Sequence, residues 1–405
     1  MRAADPPSAP HVGAQVGVVR PTGPARRAAK LSTKLPTSKP QVGRRESAAL
    51  ARVMKTGYFG MGPETRAFEE ELESYLGGGR SVLCVNSGTA ALHLALASLG
   101  LGPNDEVLVP SLTYVASFQA VCMAGATPVA CDVLADSGLI DLDDARRRIT
   151  GRTKAIMPVH YAGNVGDIDA LYSFAAHNGL RVVEDAAHAF GSARNGALIG
   201  GSGDIVCFSF DPIKNITCGQ GGAVVTADPR VAERVAALRD LGIERSASPA
   251  SAADFEVRGP GWRYQMSDLM ACIGRVQLAR FESEIKPHRL GLVAAYRARL
   301  GAVGGVGLPA CEPGTVSHIF PVRLAPERRA AVRGALDEAG FETRIHYKPC
   351  HLHPAFSRGA ACPVAEALYA ELLTLPTHAG VGAGHVESIA RILERHAGPG
   401  PGRGR

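Results

Sequence analysis

Apolar and polar positions follow two different periods along the chain, and each period predicts an element type. Short apolar runs such as Val82–Val85 and Ile205–Phe208 have the length of buried strands. Segments of about three turns with one apolar face, such as Thr89–Leu99, lie between such runs and predict helices. Short strands separated by helices are typical of a mostly parallel sheet with helices on both faces. The pattern therefore predicts an α/β fold.

Applied to the whole chain, the two periods predict a series of strands and helices. The predicted strands are 82–85, 106–109, 127–133, 154–159, 181–183, 205–208, 222–226, 317–324 and 343–347. The predicted helices are 46–55, 65–76, 89–99, 114–124, 141–149, 168–178, 229–241, one opening at Ser267, one after Lys286, 326–339 and two final helices.

The order of these elements predicts two folded domains between two disordered ends. Residues 43–285 form a large three-layer domain, and residues 286–396 form a smaller C-terminal α+β domain. Residues 1–42 are a basic, proline-rich extension and residues 397–405 a glycine-rich tail, and both are expected to be disordered. The segment 246–254 is a loop of low complexity.

Charge and composition exclude several classes of protein. The net charge is +6, but residues 1–45 hold nine Lys or Arg against one acid, so the remainder is close to neutral. No basic face for nucleic acid is predicted, and no apolar run reaches the length of a membrane span. Nine scattered cysteines without a C-x-x-C pair favour free thiols in a reducing, cytoplasmic compartment.

The first candidate for chemistry is the segment VNSGTAAL (85–92), where a predicted strand ends and a helix begins. Backbone N–H groups of Gly88, Thr89 and Ala90 at a helix N-terminus favour a phosphate. The segment lacks the spacing of a P-loop and of a dinucleotide-binding motif. An ordinary helix cap formed by Ser87 or Thr89 is the alternative explanation.

The second candidate is RVVEDAAHAFG (181–191), in which Asp185 follows an apolar strand and His188 comes three residues later. A carboxylate at the end of an internal strand is costly to bury without a cationic partner. A ligand with a protonated ring nitrogen would supply that partner. A helix-capping aspartate is the alternative, and Glu184 is expected to point to the opposite face and to be structural.

The third candidate is Lys214 in DIVCFSFDPIKNITCGQGG (204–222), just past a predicted buried strand. Partial burial would lower its pKa and leave free amine to attack a carbonyl, whereas a solvated surface lysine is the alternative. A phosphate cradle, a buried aspartate and a strand-end lysine are together what pyridoxal phosphate requires. One cofactor accounts for all three candidates.

Seven long motifs stand in a fixed order along the chain: VNSGTAALHLAL, PSLTYVASFQAV, VEDAAHAFG, FSFDPIKNITCGQGG, GWRYQMSDLMACIGRVQL, RIHYKPCHLHPAF and LLTLPTH. By these motifs the sequence resembles the DegT/DnrJ/EryC1/StrS family of sugar aminotransferases. The resemblance runs from about Gly43 to Leu393. It implies the fold of fold-type I pyridoxal-phosphate enzymes.

The resemblance also implies roles for single residues. Lys214 would form the Schiff base with the cofactor, Asp185 would bind its pyridinium nitrogen, and His188 would lie near its 3-hydroxyl group. The remaining implied contacts are Gly88, Thr89 and Ser209 at the phosphate, Tyr114 on the ring face, Gln265 reaching the phosphate from the second subunit of a dimer, and His346 and Lys348 at the substrate. Relatives often carry Asn or Arg where this chain has Gln265.

The activity implied by the resemblance is ping-pong transamination. L-glutamate, or glutamine, would give its amino group to a keto group of a nucleotide-linked deoxysugar, in the biosynthesis of amino sugars, of natural products such as antibiotics, or of polysaccharides. A keto-cyclitol acceptor, a sugar dehydratase and a non-catalytic homologue are the alternatives, and Lys214 argues against dehydration because the related dehydratases carry histidine there. No metal site is expected, because no acidic or cysteine ligand completes a set around His346, His351 and His353.

Overall fold

The computed structural model describes residues 34–245, 255–257, 259–357 and 359–398, which belong to one compact unit that begins at Lys34. In this part of the chain the α-helices are α1 Arg44–Thr56, α2 Pro63–Tyr75, α3 Gly88–Ser98, α4 Val115–Met123, α5 Leu142–Arg148, α6 Ile168–His177, α7 Pro229–Leu238, α8 Asp268–Ala279, α9 Lys286–Leu300, α10 Pro326–Glu338, α11 Pro363–Glu371 and α12 Ala383–His396. The strands are β1 Ser81–Val85, β2 Glu106–Pro110, β3 Thr127–Cys131, β4 Thr153–Ile156, β5 Arg181–Asp185, β6 Ala193–Arg194, β7 Ala197–Leu198, β8 Ile205–Ser209, β9 Gly222–Thr226, β10 Ile243–Arg245, β11 Phe255–Val257, β12 Val306–Gly307, β13 Phe320–Leu324 and β14 Leu372–Leu375.

A seven-stranded sheet with the order β1-β9-β8-β5-β4-β2-β3 forms the centre of the fold. Strand β9 runs antiparallel to its neighbours β1 and β8, and the other adjacent pairs are parallel. Parallel pairs require crossover connections, which α4, α5 and α6 supply. The carboxyl ends of β1, β2, β4, β5 and β8 therefore all point to one edge of the sheet.

Helices cover both faces of this sheet, because alternate residues of each strand point to opposite faces. In β8, Ile205 and Cys207 belong to the buried cluster that includes α3 and α4. Val206 and Phe208 belong to the cluster that includes α2 and α8. These two apolar faces give the strand its unbroken buried run. The predicted α/β fold with a mostly parallel central sheet is confirmed.

The C-terminal part of the chain has an apolar core of its own. Strands β12, β13 and β14 form an antiparallel sheet, on which residues of α9, α10 and α12 pack. Tyr296 stacks on Phe320 with a ring separation of 4.7 Å inside this cluster. The division into domains 43–285 and 286–396 stays a prediction.

The predicted strand 343–347 is wrong. Arg344 makes an isolated bridge to Thr374, and the chain then leaves the sheet. The carbonyl of His346 accepts the hydroxyl of Tyr161 at 2.5 Å, so a side chain satisfies it instead of a neighbouring strand. The strand in this region is β14, Leu372–Leu375, which the hydrophobic pattern did not separate from the helix α11 before it.

The ordered chain begins before Gly43, contrary to the predicted extension. Leu35 pairs with Phe341, and the carbonyl of Thr37 accepts the amide of Thr377 at 2.8 Å. These contacts tie residues 34–42 to the C-terminal region. Residues 1–33, the whole loop 246–254 and residues 399–405 of the predicted tail lie outside the described residues. Among the described helices, none has both the length and the apolar character that crossing a membrane requires.

Candidate active site

Strand register brings the three predicted features to one edge of the sheet. Val85 at the end of β1 pairs with Gly222, and Gly222 also pairs with Ser209 at the end of β8. Asp185 ends β5, and it pairs with Cys207 of β8. The carboxyl edge of an open α/β sheet is where such proteins bind ligands. The cradle, the aspartate and the lysine-bearing segment therefore surround one site.

The N-terminus of α3 lies against the end of β8 at this edge. Ser87 caps the helix, because its Oγ accepts the amide of Ala90 at 3.1 Å. A β-carbon on Gly88 would lie 2.7 Å from the Cβ of Ser209, and one on Gly222 would lie 2.5 Å from the carbonyl oxygen of Ser87. Only glycine at these two positions keeps the cradle open beside Ser209. The first amides of α3, those of Gly88 and Thr89 included, have no carbonyl partner within the helix, and such amides favour a phosphate.

Replacing Gly88 with alanine is expected to close this cradle. The added methyl group meets Ser209, so we expect a loss of about 1–3 kcal/mol in unfolding free energy and weaker binding of inorganic phosphate. Urea unfolding and phosphate titration measure the two effects. Gly291→Ala in α9 is the matched control, because its β-carbon meets no atom within 4 Å. Equal phosphate affinity in Gly88→Ala and in the natural protein would contradict the assignment.

Asp185 is a buried carboxylate without a cationic side chain bonded to it in the described part of the chain. It is 5% exposed. Its Oδ2 accepts the hydroxyl of Ser117 at 2.7 Å and its Oδ1 accepts the amide of Ala187 at 3.2 Å. Burial raises the pKa of Asp185, and the hydrogen bonds from Ser117 and Ala187 and the charge of Lys214 oppose that shift. A protonated ring nitrogen would supply the missing partner.

Glu184, the neighbour of Asp185, points to the opposite face. It accepts hydrogen bonds from Tyr172 at 2.6 Å and from His160 Nε2 at 2.7 Å. The amide of His160 also donates to the carbonyl of Asp185 at 3.1 Å. Glu184 therefore fixes the end of β5 from the face of the sheet opposite to Asp185.

Lys214 lies in the turn that follows β8, partly buried, with its amide bonded to the carbonyl of Asp211 at 3.1 Å. Burial lowers the pKa of Lys214 to about 8, against the opposing charges of Asp185 and Asp211. Roughly a tenth of the side chain is therefore free amine at pH 7, far more than for an ordinary lysine, and free amine is the form that attacks a carbonyl.

His188 is buried between the main chain and Tyr347. Its Nδ1 accepts the amide of Ala162 at 3.3 Å, and its Nε2 lies 3.0 Å from the hydroxyl of Tyr347. Burial lowers the pKa of His188 well below its usual value, and the nearby charge of Lys214 adds to this. The ring is therefore neutral, with its hydrogen on Nε2. Nε2 then donates to Tyr347, whose own hydroxyl hydrogen is left for another acceptor.

Tyr114 and Gln265 lie at opposite sides of this edge. Tyr114 is 57% exposed, and its ring centre lies 5.7 Å from that of Tyr347. An exposed ring over a buried site is free to stack on a planar ligand. Gln265 makes a backbone bridge to Val85 of the same chain, next to the cradle. Its predicted reach into the site of a second subunit stays a prediction.

The two predicted substrate residues differ in environment. His346 is buried, and its Nδ1 lies 2.8 Å from the hydroxyl of Thr374, while Lys348 is exposed. The structure thus brings His346 to the site through its neighbour Tyr347 and leaves Lys348 at the surface. His351 lies apart from His346 and contacts Ser111 and Glu366. Within the described ranges, no group of three or more His, Cys, Asp or Glu residues is placed to hold a metal.

A family model of the DegT/DnrJ/EryC1/StrS aminotransferases matches residues 40–394, which is most of the chain. The chain belongs to this family. The predicted family and enzyme class are confirmed, and so is the predicted fold type, which the solved relatives share.

Two characterised relatives of this DegT-family chain are sugar aminotransferases by name. A dTDP-3-amino-3,4,6-trideoxy-alpha-D-glucose transaminase from Streptomyces venezuelae is 42% identical over 337 residues, covering 81% of this chain and 86% of that protein. A dTDP-4-dehydro-2,3,6-trideoxy-D-glucose 4-aminotransferase from Saccharopolyspora spinosa is 36% identical over 371 residues, covering 88% of this chain and 96% of that protein.

Solved structures of the family share the fold of this chain. DesV from S. venezuelae, solved with a ketimine intermediate, superposes with a TM-score of 0.80 at 38% identity, covering 86% of this chain and 93% of DesV. Spr1654 from Streptococcus pneumoniae, solved in a PLP form, gives a TM-score of 0.83 at 30% identity, covering 89% of this chain and 98% of that chain.

The DegT-family site contains residues that the sequence patterns did not single out. Ser117, which donates to Asp185, lies one helical turn after Tyr114 in PSLTYVASFQAV, so helical spacing could have marked it as a neighbour of a predicted site residue. Tyr347 adjoins the predicted His346 but was assigned to a strand. Arg289 contacts Lys214, which lies 75 positions earlier, and His318 contacts His188, and no local pattern marks either contact.

Proposed function

We propose that this protein transfers an amino group from an amino acid donor to a keto group of a nucleotide-linked deoxysugar, with pyridoxal phosphate as cofactor. The observation that carries the proposal is the joint placement of Lys214, Asp185 and the N-terminus of α3 at one sheet edge. Relatives at 42% and 36% identity whose names are those of dTDP-sugar aminotransferases support the acceptor class. L-glutamate is the proposed donor, and glutamine is the alternative.

The residues at this edge fit pyridoxal phosphate. The amides of Gly88 and Thr89 and the hydroxyl of Ser209 would hold its phosphate, since the missing β-carbon of Gly88 lets the helix N-terminus lie against Ser209. Asp185 would bind its ring nitrogen, and Tyr114 would cover its ring face. When bound, the cofactor supplies an aldehyde that combines with amines and a ring that takes up electron density.

Lys214 has two proposed tasks. Its partly deprotonated amine would bond to the aldehyde carbon with loss of water and, once displaced by the donor, would take up the proton from the donor's α-carbon. Asp185 would keep the ring nitrogen protonated, since a carboxylate in this buried position favours a cation beside it. His188 would hold Tyr347 so that its hydroxyl hydrogen points to an oxygen of the bound molecules.

We also propose an oligomeric state and a cellular compartment for the enzyme. A homodimer with shared active sites is proposed, in which Gln265 of one chain assists at the phosphate of the other. The apolar side chains Met54, Tyr58 and Phe59 are exposed around the end of α1, where a second copy would cover them. None of the nine cysteines, all of which lie in the described ranges, forms a disulfide, which is compatible with a cytoplasmic protein.

Amine formation on a panel of acceptors tests the proposed function. The purified protein with pyridoxal phosphate and L-glutamate is expected to aminate dTDP-linked 3-keto- or 4-keto-deoxysugars, as detected by mass spectrometry. Keto-cyclitols in the same panel test the alternative acceptor. Loss of a sugar hydroxyl without amine gain would indicate a dehydratase, and no turnover with any acceptor and either donor would contradict the proposal.

A further inference from the structure

Two buried hydroxyl groups form a chain that ends on the carboxylate of Asp185. Ser117 is 0% exposed in the first turn of α4, and Thr113, one turn before it, is 1% exposed. The Oγ of Ser117 lies 2.8 Å from the Oγ1 of Thr113 and 2.7 Å from the Oδ2 of Asp185. Because both side chains are buried, the hydrogens of both hydroxyls must find acceptors inside the protein.

The distances determine which way the hydrogens of this chain point. Ser117 has one hydroxyl hydrogen, and besides Thr113 its acceptors within reach are Asp185 at 2.7 Å and the carbonyl of Tyr114 at 3.3 Å. An ionised carboxylate at the shorter distance makes the stronger bond, so Ser117 donates to Asp185. Its Oγ then accepts the hydroxyl hydrogen of Thr113. Two hydrogen bonds aligned in this way strengthen one another.

This chain favours the ionised form of Asp185. A protonated Oδ2 would direct its own hydrogen at Ser117, which would then have to turn its hydrogen to the more distant carbonyl of Tyr114. Burial raises the pKa of Asp185, and the hydrogen bond from Ser117 is the foremost interaction that opposes this shift. The amide of Ala187 donates to the other carboxylate oxygen at 3.2 Å. The two donors together hold the carboxylate in one orientation.

The other titratable groups around Asp185 do not donate to its carboxylate in the described structure. Lys214 and His160 favour its ionised form through charge alone. Cys207, which pairs with Asp185 between β8 and β5, and Tyr347 are neutral, because burial raises the pKa of each group well above its usual value. Among the side chains of the described ranges, the one that bonds to this carboxylate is therefore Ser117.

We propose that Ser117, supported by Thr113, is a positioning residue that keeps Asp185 ionised and directed at the ring nitrogen of pyridoxal phosphate, an inference that rests on the proposed function. Ser117 is completely buried, so it acts on the cofactor only through Asp185. The first turn of α4 then has two functions, since Tyr114 covers the ring face while Ser117 fixes the group that binds the ring nitrogen. A hydroxyl that only joined α4 to β5 would support stability but not the ionisation of Asp185.

Binding of two cofactor analogues to the full-length protein, freed of cofactor, tests the proposal. Pyridoxine 5′-phosphate has the ring nitrogen but no aldehyde, so it forms no bond with Lys214, and the second analogue has a carbon in place of the ring nitrogen. Ser117→Ala is expected to raise the dissociation constant of pyridoxine 5′-phosphate about 5–30-fold, as a hydrogen bond to a charged group is lost. The dissociation constant of the carbon analogue is expected to change less than about twofold. Isothermal titration calorimetry measures both.

The pH dependence of binding separates a role in ionisation from a structural role. Without Ser117 the pKa of Asp185 is higher, so rising pH restores the charge that the variant has lost at neutral pH. The ratio of the dissociation constants of Ser117→Ala and the natural protein is therefore expected to fall between about pH 6 and about pH 9. Titration of the ligand and of Lys214 cancels in this ratio, because both proteins share it.

Ser98→Ala is the matched control. Ser98 is 3% exposed on α3, and its hydroxyl donates to the carbonyl of Ala95 at 2.6 Å and not to Asp185. Both analogues are expected to bind to that variant as to the natural protein, within about twofold. Thr113→Val is expected to weaken binding of pyridoxine 5′-phosphate about 2–5-fold, and Thr113→Ser to recover most of that loss. This pair decides the question if Ser117→Ala does not fold.

Three results in Ser117→Ala would overturn the inference: unchanged binding, an affinity loss that is equal for the two analogues, and an affinity loss that does not change with pH. If Ser117→Ala does not fold, equal affinities of Thr113→Val and Thr113→Ser for pyridoxine 5′-phosphate would overturn it. A natural protein that binds neither analogue, or that binds both equally, would instead contradict the proposed function and the inference with it.

Discussion

Lys214→Ala is expected to abolish amino transfer. The variant loses both the amine that bonds to the cofactor and the group that moves the donor's proton, so we expect kcat to fall at least about 10³-fold, in the upper range of acid–base contributions. Borohydride treatment of the natural protein with pyridoxal phosphate should give a covalent adduct on Lys214. Peptide mass spectrometry should find no adduct at position 214 of the variant.

A control substitution of another lysine and a pH series test whether the loss of activity is specific to Lys214. Lys154 is exposed on β4, and Lys154→Ala should keep full activity and full adduct formation at Lys214. Because the pKa of Lys214 is lowered to about 8, the rate of cofactor capture should rise with pH through about 8 and then level off. An exposed lysine would need a pH near about 10.4 for the same rise. Unchanged turnover in Lys214→Ala would refute the proposed role.

Asp185→Asn is expected to lower kcat about 10²–10⁴-fold while the cofactor still binds. The amide fills the same volume and still accepts the amide of Ala187, but it carries no charge to keep the ring nitrogen protonated. Burial raises the pKa of Asp185, so the ionised group is disfavoured in the cofactor-free fold. The stability associated with a raised pKa is lost as pH rises, and therefore the cofactor-free variant should be at least as stable as the natural protein at neutral pH.

Glu184→Gln is the control that distinguishes loss of the Asp185 charge from a general disturbance of β5. Glu184 is buried on the opposite face and bonded to His160 and Tyr172, so its substitution should lower the melting temperature and affect kcat far less. Thermal unfolding and steady-state kinetics on both variants distinguish the two faces. Equal losses of kcat in the two variants would contradict a specific role for Asp185.

The elements and the central site residues were predictable because their signals are local. Strands such as 205–208 and 222–226 are short apolar runs. Asp185 lies at the end of one such run, and Lys214 lies in the turn that follows another. The resemblance to the family then assigned one cofactor to separate motifs. In the structure the strand register brings these motifs together, since Gly222 pairs with both Val85 and Ser209.

The parts that were missed depend on contacts distant in sequence. Residues 343–347 have the composition of a strand, but the carbonyl of His346 is bonded to Tyr161, 185 positions earlier. Arg289 meets Lys214 across 75 positions, and no periodicity within either segment indicates that contact. Residues 34–42 looked like an unstructured extension because their partners lie near residues 340 and 377.

The late position of strand β9 in the sequence determines when the site can form during translation. Strand β1 is at the edge of the sheet, and its neighbour β9 ends at Thr226. At about 5–20 residues per second, a ribosome needs roughly 7–30 s to pass from the end of β1 to the end of β9. During that time the apolar run of β1 has no strand to pair with, and the N-terminus of α3 has no fixed position. The phosphate cradle is therefore assembled late on the ribosome, well after the first of its residues has been made.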